Sequence, residues 1–224
     1  MGRDRLTYAV GDIHGCADLL DALLDKIEAH CAGRARSLVF IGDYIDRGPD
    51  SARVVETLSK LQWREPEHVV CLMGNHEAML LKSLREPGAL DHWLYNGGAE
   101  TLASFDADGP EDLPRDVLDW IEALPTLHED PLRWYVHAGF RPDAGPPDPD
   151  IETRLWIREP FLSREHDYGR HVVHGHTPRM DGTPDRRRFR TNLDTGAVYG
   201  GALTAGIFAA DQAGPVDFLQ IRAR

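Results

Sequence analysis

The sequence predicts an α/β fold built around a parallel sheet. Three short apolar runs of strand length alternate with two segments whose apolar residues recur at helical spacing. Each run stops at a glycine that is followed by a polar residue, which is typical of a strand ending in a turn. Strands joined through helices lie parallel with right-handed crossovers, so their carboxyl ends meet at one edge, where open α/β sheets bind ligands.

The first elements follow in order along the chain. The predicted strands cover residues 6–10, 38–41 and 69–73. Helical spacing is found over 19–27 and 54–58, and the second helix has a Pro-Asp-Ser start at 49–51. The helical pattern resumes at residue 77, so we expect a helical insertion over 77–130 that could cover the site, within a single domain spanning 1–224.

The second half of the chain is richer in predicted strands. One strand is expected at 132–136, directly before His137. Residues 141–150 are too rich in proline and aspartate for anything but a loop. A further short strand is expected at 172–173, and short apolar runs between glycines predict a run of antiparallel strands from residue 187 onward.

Composition and charge exclude several classes of function. The chain has 224 residues with 25 Lys and Arg against 37 Asp and Glu, and its net charge is −12. Such an acidic surface repels phosphate backbones, so binding to nucleic acid or to an anionic membrane is disfavoured. An anionic substrate must therefore be attracted by local positive charge.

The sequence also predicts a compartment. No apolar stretch approaches the roughly 20 residues that span a bilayer, and the N-terminal segment lacks the features of a signal peptide. The three cysteines, Cys16, Cys31 and Cys71, are an odd number without metal-site spacing, so reduced thiols are expected. A cytoplasmic protein without a membrane span is the resulting expectation.

Side chains that bind metals stand at or near the ends of five apolar runs. These carboxylate, imidazole and amide donors are Asp12, His14, Asp43, Asn75, His137 and His176. Mixed oxygen and imidazole ligands suit Mn²⁺, Fe and Zn²⁺, and one shared carboxylate can hold two such ions about 3.5–4 Å apart. We therefore infer a binuclear metal centre.

Five sequence blocks carry a family resemblance. In chain order they are GDIHG at 11–15, GDYIDRG at 42–48, GNHE at 74–77, HAG at 137–139 and GH at 175–176. Together they resemble the pattern of the calcineurin-like metallophosphoesterases, in their phosphoprotein phosphatase branch. The resemblance implies the α/β fold of that family, a four-layer α/β/β/α sandwich of two central sheets flanked by helices.

The resemblance also implies a ligand set. It assigns Asp12 and His14 to a first metal, Asp43 to a bridging position, and Asn75, His137 and His176 to a second metal. Mn²⁺ is the expected ion, with Fe or Zn²⁺ as alternatives. In the family, a hydroxide that bridges the two cations attacks phosphorus directly, without a phosphoenzyme intermediate.

Four further residues receive catalytic roles by the same resemblance. Arg47 and Arg158 would grip phosphate oxygens through their planar guanidinium groups. His76 would protonate the leaving oxygen, and Asp46 would hold the imidazole in the required tautomer. This pairing corresponds to the family's His-Asp dyad.

The implied activity is hydrolysis of phosphomonoesters, with phosphoserine or phosphothreonine in proteins as the expected substrate and a small phosphoester as another. The alternative is a symmetrical dinucleoside polyphosphate hydrolase. As a family, those enzymes tend to lose the aspartate of DRG and to carry GNHD, whereas this chain keeps Asp46 and Glu77. A metal-bearing scaffold without turnover stays open, and a nucleic-acid phosphodiesterase is disfavoured by the charge. The oligomeric state is left open.

Several residues receive no catalytic assignment. His174 is read as supporting or structural, because Pro178 occupies the position where a second ligand histidine would stand. Cys16 is read as packing, and Asp194 as either a turn residue or a hydrogen-bond partner of a ligand histidine. The arginines at 186–190 are read as a solvated turn.

Overall fold

The computed structural model describes residues 5–145 and 147–222, which form two five-stranded sheets and seven α-helices. Part of the N-terminal segment and residue 146 of the predicted 141–150 loop lie outside the described residues. The strands are β1 Leu6–Val10, β2 Arg36–Phe40, β3 Val69–Cys71, β4 Leu127–Asp130, β5 Arg133–Val136, β6 His171–His174, β7 Asp185–Arg186, β8 Arg190–Asn192, β9 Ala202–Phe208 and β10 Asp217–Arg222. The helices are α1 Ala17–Cys31, α2 Ser51–Arg64, α3 Asn75–Ser83, α4 Ala89–Trp93, α5 Ala99–Phe105, α6 Arg115–Glu122 and α7 Ile151–Trp156.

The first sheet has the order β10-β9-β1-β2-β3. Strands β1, β2 and β3 are parallel and are joined through α1 and α2, as the alternation of apolar runs predicts. The bounds of β1 agree with the prediction. Strand β2 begins two residues earlier than predicted, because Arg36 and Ser37 pair with the start of β1 although they are polar. Strand β9 returns antiparallel to β1 and is followed by β10.

The second sheet has the order β4-β5-β6-β8-β7. Its three central strands, β5, β6 and β8, are parallel, and the edge strands β4 and β7 are antiparallel to their neighbours. The prediction of antiparallel strands from residue 187 onward is correct for β9 and β10. Strand β8 is antiparallel to β7 but parallel to β6, so the prediction is correct for only one of its two neighbours. Glycine spacing marks where the strands end, but it carries no information about which sheet a strand joins.

The two sheets pack face to face through alternating side chains. Ala9 and Val39 of the first sheet and Tyr135 and Val173 of the second belong to one buried cluster between the sheets. Alternate residues such as Tyr8 point to the opposite face of the first sheet. A buried face on both sides explains why these strands are near-continuous apolar runs.

Helices and loops cover the two outer faces. On the first sheet, Leu20, Leu23 and Ile27 of α1 pack into the large cluster that covers β1 and β2. The outer face of the second sheet is covered by Phe140 and Phe161 from the connection between β5 and β6, which also contains α7. The predicted four-layer α/β/β/α sandwich is confirmed by this arrangement of helices and sheets.

The segment predicted as a helical insertion contains α3, α4, α5 and α6, with a π-helical turn at Leu94–Gly98. The helices end at Glu122, and Leu127–Asp130 is strand β4 rather than part of the helical segment. The segment 77–130 therefore ends in a strand that the sequence did not reveal, because the sequence LHED has no apolar alternation. Strand β4 forms through its pairing with β5. Helix α7 was not expected, since six residues are too few to show helical spacing.

None of the helices in the described residues is long and apolar enough to cross a membrane. The three cysteines are free thiols, and two of them, Cys31 and Cys71, are buried.

Candidate active site

The carboxyl ends of five strands bring the predicted ligand residues together. Asp12 and His14 follow β1, Asp43 follows β2, Asn75 begins α3 after β3, and His137 and His176 follow β5 and β6. All six are buried, with at most 7% of any of them exposed. Since the strands belong to two sheets, the cluster forms only when the sheets pack against each other.

Asp43 is the centre of this cluster. Its Oδ2 lies 3.4 Å from Nε2 of His14, and its Oδ1 lies 3.4 Å from Nε2 of His137. Two groups of potential metal ligands share Asp43, one with His14 and His76 and the other with His137 and His176, and the ligand atoms of each group lie within 4.8 Å of one another. A carboxylate whose two oxygens face two imidazole groups has the arrangement that a bridging ligand requires.

Asn75 joins the second group through its side-chain oxygen. Its Oδ1 lies 2.8 Å from Nε2 of His137 and 2.8 Å from Nδ1 of His176. The amide oxygen is therefore held between two imidazole nitrogens, beside the oxygen of Asp43 that faces His137. The structure thus brings an amide, a carboxylate and two imidazoles together.

Backbone carbonyls orient two of the histidine rings. Nδ1 of His14 lies 2.9 Å from the carbonyl oxygen of Ile45, and Nδ1 of His137 lies 2.9 Å from that of Ile41. Because a carbonyl only accepts, each Nδ1 carries the proton and each Nε2 presents its lone pair towards the cluster around Asp43. This is the tautomer that a ligand histidine needs.

Burial favours the neutral form of three of the imidazoles. It lowers the pKa of His14 to about 3 and that of His176 to about 3, and it also lowers the pKa of His137. Burial by itself would raise the pKa of Asp43, but coulombic attraction to the surrounding histidines, His137 first and then His76, outweighs that effect and lowers the pKa. A carboxylate that ionises easily beside imidazoles that lose their protons easily is a suitable donor set for a divalent cation.

Asp12 occupies a different position from Asp43. Both of its oxygens accept from the backbone N–H of His176, at 3.0 and 3.3 Å, and it belongs to neither of the two ligand groups found in the described residues. Burial and then repulsion from Asp194 and Asp43 raise the pKa of Asp12. Three carboxylates crowded in one buried site are a charge arrangement that bound cations would stabilise.

The backbone of the site is strained. His14, Asp43, Asp46, Arg47 and His176 all have positive φ, between 48° and 72°, where side chains are unfavourable. Each such residue costs on the order of 1–3 kcal/mol, and strain of this kind clusters at functional sites. The tight approach also requires glycine, because a Cβ on Gly74 would lie 2.2 Å from Oδ1 of Asp43.

His76 and Asp46 form the predicted pair. Nδ1 of His76 lies 2.7 Å from Oδ2 of Asp46, and Nε2 of His76 lies 4.0 Å from Oδ2 of Asp43. Burial lowers the pKa of His76, but Asp43 and Asp46 outweigh it, and the net result is a raised pKa. A histidine that holds its proton more tightly, beside the ligand cluster, is suited to act as a proton donor.

The two predicted phosphate-binding arginines lie in different environments. Nη1 of Arg47 lies 2.7 Å from Nε2 of His14, so its guanidinium reaches the cluster. Arg47 also lines a cavity of about 1000 Å³ beside the N-terminus of α1. Arg158 is exposed, and within the described residues its side chain forms no ion pair or hydrogen bond. Its positive charge contributes to the lowered pKa of His176, after burial and His137, while Asp43 acts in the opposite direction.

The structure adds residues that the sequence patterns did not assign to the site. Glu77 is fully buried and its carboxylate accepts backbone N–H groups of Asp43, Tyr44 and Gly74 at 3.0, 2.8 and 2.8 Å. Trp93 and Thr101 hydrogen-bond to Asp46. The GNHE block contains Glu77, so that residue was visible in the sequence. Neither Trp93 nor Thr101 lies in any of the five blocks, so no motif pointed to them.

Three residues without an assigned role lie near the site. His174 is buried, with Nε2 at 3.3 Å from Nη1 of Arg190 and outside both ligand groups of the described residues. Burial raises the pKa of the Cys16 thiol to about 11, which agrees with a packing role. Oδ1 of Asp194 accepts from the backbone N–H of Gly196 at 3.1 Å, as expected for a turn residue, and its charge acts on Asp12.

The sequence matches the calcineurin-like phosphoesterase family over residues 6–200. The chain therefore belongs to this family of metallophosphoesterases, which are hydrolases that bind two divalent metal ions. The resemblance seen in the five sequence blocks is confirmed.

Individual relatives cover almost the whole chain. Serine/threonine-protein phosphatase 1 from Salmonella typhimurium is 32% identical over 218 residues, which cover 89% of this chain and 90% of that protein. The asymmetrical bis(5'-nucleosyl)-tetraphosphatase PrpE from Halalkalibacterium halodurans is 29% identical over 96% of this chain and 93% of that protein. A solved structure provisionally described as a diadenosine tetraphosphatase superposes with a TM-score of 0.69 at 24% identity, covering 98% of this chain and 94% of that chain.

We predict that Glu77→Gln destabilises the protein by about 1–3 kcal/mol, because the amide nitrogen cannot accept from the buried backbone N–H groups that now face the carboxylate. Urea unfolding checks this. Glu86→Gln is the control, since the Glu86 side chain is 60% exposed, and it should change stability by no more than about 0.5 kcal/mol. Equal stability of the two variants would contradict the proposed role of Glu77.

We predict that Asp43→Asn abolishes binding of both metal ions, because the shared carboxylate faces both ligand groups. Elemental analysis after dialysis against Mn²⁺ measures the ions per chain. Asp25→Asn on the exposed side of α1 is the control and should retain them. Retention of two ions by the Asp43 variant would show that this residue is not the bridge.

Proposed function

We propose that this protein is a binuclear metal-dependent phosphatase that hydrolyses phosphomonoesters, with phosphoserine and phosphothreonine in proteins as its substrates. The observation that carries the proposal is the buried His76–Asp46 pair beside Asp43, whose two oxygens face the two ligand groups. Together these residues offer a proton donor next to a site for two cations. That combination suits cleavage of a phosphate ester with an alkoxide leaving group.

The donor set fits two divalent cations. We assign Asp12, His14 and Asp43 to the first ion and Asp43, Asn75, His137 and His176 to the second. The neutral imidazoles and the crowded carboxylates support this assignment, although Asp12 is turned towards the backbone of His176. When bound, two such ions supply a water of lowered pKa for attack and neutralise charge on the phosphate. Mn²⁺ is our proposed ion, because it accepts mixed oxygen and imidazole ligands, with Fe or Zn²⁺ as alternatives.

The chain's own side chains perform the remaining steps. Arg47 reaches the cluster and binds phosphate oxygens through its guanidinium group, and Arg158 supplies a second positive charge from the rim. His76 donates a proton from Nε2 to the leaving oxygen, because its Nδ1 is occupied by Asp46. Asp46 holds the ring orientation and stabilises the protonated imidazole.

Phosphoproteins are favoured as the substrate class by two observations. The chain keeps Asp46 and Glu77, which the symmetrical dinucleoside polyphosphate hydrolases tend to replace. The Salmonella typhimurium relative that bears a protein phosphatase name matches nearly full length. The second candidate function is hydrolysis of dinucleoside polyphosphates, with symmetrical cleavage as the alternative that the sequence analysis names. The tetraphosphatase PrpE, which matches this chain at comparable coverage, favours the class of dinucleoside polyphosphate hydrolases.

We also propose a domain organisation, a location and excluded partners for the chain as a whole. We propose a single domain over 1–224, and a cytoplasmic location is supported by the three free cysteines. The net charge of −12 argues against nucleic acid and membranes as partners.

We expect release of inorganic phosphate from phosphoserine and phosphothreonine peptides when the Mn²⁺-loaded protein is assayed beside diadenosine tetraphosphate. Chromatography of the products distinguishes the candidates, because symmetrical cleavage yields two nucleoside diphosphates and asymmetrical cleavage a triphosphate and a monophosphate. Preferential cleavage of the dinucleotide would select the second candidate. If the protein hydrolyses none of these esters, nor 4-nitrophenyl phosphate, in a chelator-sensitive reaction, it is a metal-bearing scaffold without turnover.

We predict that His76→Asn lowers kcat on an alkyl phosphate by roughly 10² or more, as loss of a general acid should, while the metal content is retained. Steady-state kinetics with elemental analysis of the same samples checks both parts. His92→Asn is the control, because His92 is exposed in the same helical segment. Unchanged turnover of the alkyl phosphate by the His76 variant would refute the proton-donor role.

A further inference from the structure

The carboxylate of Asp46 has more partners than its pairing with His76 requires. It is fully buried, and its side chain is contacted by two residues of the segment that contains α4, the π-helical turn and α5. These residues are Trp93 and Thr101, which lie 47 and 55 positions further along the chain. Both are themselves fully buried, so their polar atoms have no access to solvent. The ligand and proton-donor roles described above do not explain these contacts.

Trp93 donates its indole N–H to both oxygens of Asp46. Nε1 lies 3.1 Å from Oδ1 and 3.0 Å from Oδ2, so the hydrogen bond is shared across the carboxylate. A donor in this position fixes the orientation of the carboxylate plane. Rotation about the Cβ–Cγ bond of Asp46 would break this contact, because it would move both oxygens away from the indole.

Thr101 contacts Asp46 at two points. Its hydroxyl donates to Oδ1 at 2.7 Å and accepts the backbone N–H of Asp46 at 2.8 Å. The backbone of Asp46 is in the left-handed region, with φ of 72°, which is unfavourable for an aspartate. Thr101 therefore stabilises this conformation and occupies Oδ1, which leaves Oδ2 for Nδ1 of His76 at 2.7 Å.

The same segment also contacts the next residue. The carbonyl oxygen of Gly97, in the π-helical turn, accepts the backbone N–H of Arg47 at 3.1 Å. Gly97 has φ of 106°, and a Cβ at this position would lie 2.6 Å from the nitrogen of Arg47. The turn is therefore shaped to approach the Asp46–Arg47 peptide closely, which places the two donors beside the carboxylate.

We propose that Trp93 and Thr101 are positioning residues for the catalytic pair, and that they act by fixing the carboxylate of Asp46 so that Oδ2 holds the His76 ring in the orientation for proton donation. This inference rests on the proposed function of His76. It gives the segment at 89–105 a defined role as a support of the pair. Neither residue touches the substrate in this proposal.

Removal of the donors should impair only those reactions that need proton donation. Trp93→Phe keeps the aromatic ring and deletes the N–H, and Thr101→Val keeps the shape and deletes the hydroxyl. For each, we expect kcat on an alkyl phosphate to fall by about tenfold with KM nearly unchanged, since a misplaced general acid loses part of its contribution. On 4-nitrophenyl phosphate, whose leaving group needs no proton, kcat should change by less than about twofold.

Trp120→Phe is the matched control. Trp120 lies in the same helical region, is half-buried, and donates its indole N–H to Oε1 of Gln62 at 2.9 Å, away from Asp46. This variant should leave the ratio of alkyl to nitrophenyl turnover unchanged. Thr101→Ser restores a hydroxyl and should recover most of the alkyl phosphatase activity. If Trp93→Phe and Trp120→Phe behave alike on both esters, or if the serine variant recovers nothing, the positioning role is refuted.

A second measurement does not depend on turnover. In metal-free protein labelled with ¹⁵N-histidine, the wild-type His76 should show a downfield Nδ1–H proton typical of a short hydrogen bond to a carboxylate. That signal should shift upfield or broaden in Trp93→Phe and stay unchanged in Trp120→Phe. An unchanged signal in Trp93→Phe would overturn the inference. A wild type that shows the signal but cleaves no monoester would instead refute the proposed function alone.

Discussion

The shared carboxylate of Asp43 is the interaction on which the rest of the site depends. It is buried, and the histidines that surround it from strand ends of both sheets outweigh the effect of burial and lower its pKa. His14 reaches it from the first sheet and His137 from the second, each at 3.4 Å. Since neither sheet contains the whole cluster, the packing of Ala9 and its neighbours between the sheets is a condition for the chemistry.

The geometry around Asp43 is unfavourable locally and is held by buried hydrogen bonds. Five side-chain-bearing residues of the site have positive φ, which costs free energy that the rest of the fold must offset. Glu77 accepts backbone N–H groups from the two turns that meet at Asp43, and Thr101 accepts the backbone N–H of Asp46. The segment at 89–105 therefore supports the turn that contains Asp46 and Arg47.

The elements whose residues repeat a hydrophobic pattern along the chain were predictable from the sequence. Strand β1 and the parallel order of β1, β2 and β3 follow from alternation of apolar runs and helices, because these contacts are between neighbours in sequence. Strand β4, helix α7 and the parallel pairing of β8 were not predictable. Their residues lack periodicity, and the pairing of β8 with β6 depends on a partner in another part of the fold.

The sequence by itself determined the chemistry of the site. The donor side chains stand at or near strand ends, and within each sheet the parallel strands bring those ends to one edge. Only the tertiary structure decided how the predicted ligands face one another, which oxygen of Asp46 meets His76, and that Trp93 and Thr101 contact this carboxylate. The physical reason is that hydrogen-bond geometry depends on the packing of distant segments, and a spacing of some fifty residues leaves no periodic trace in the sequence.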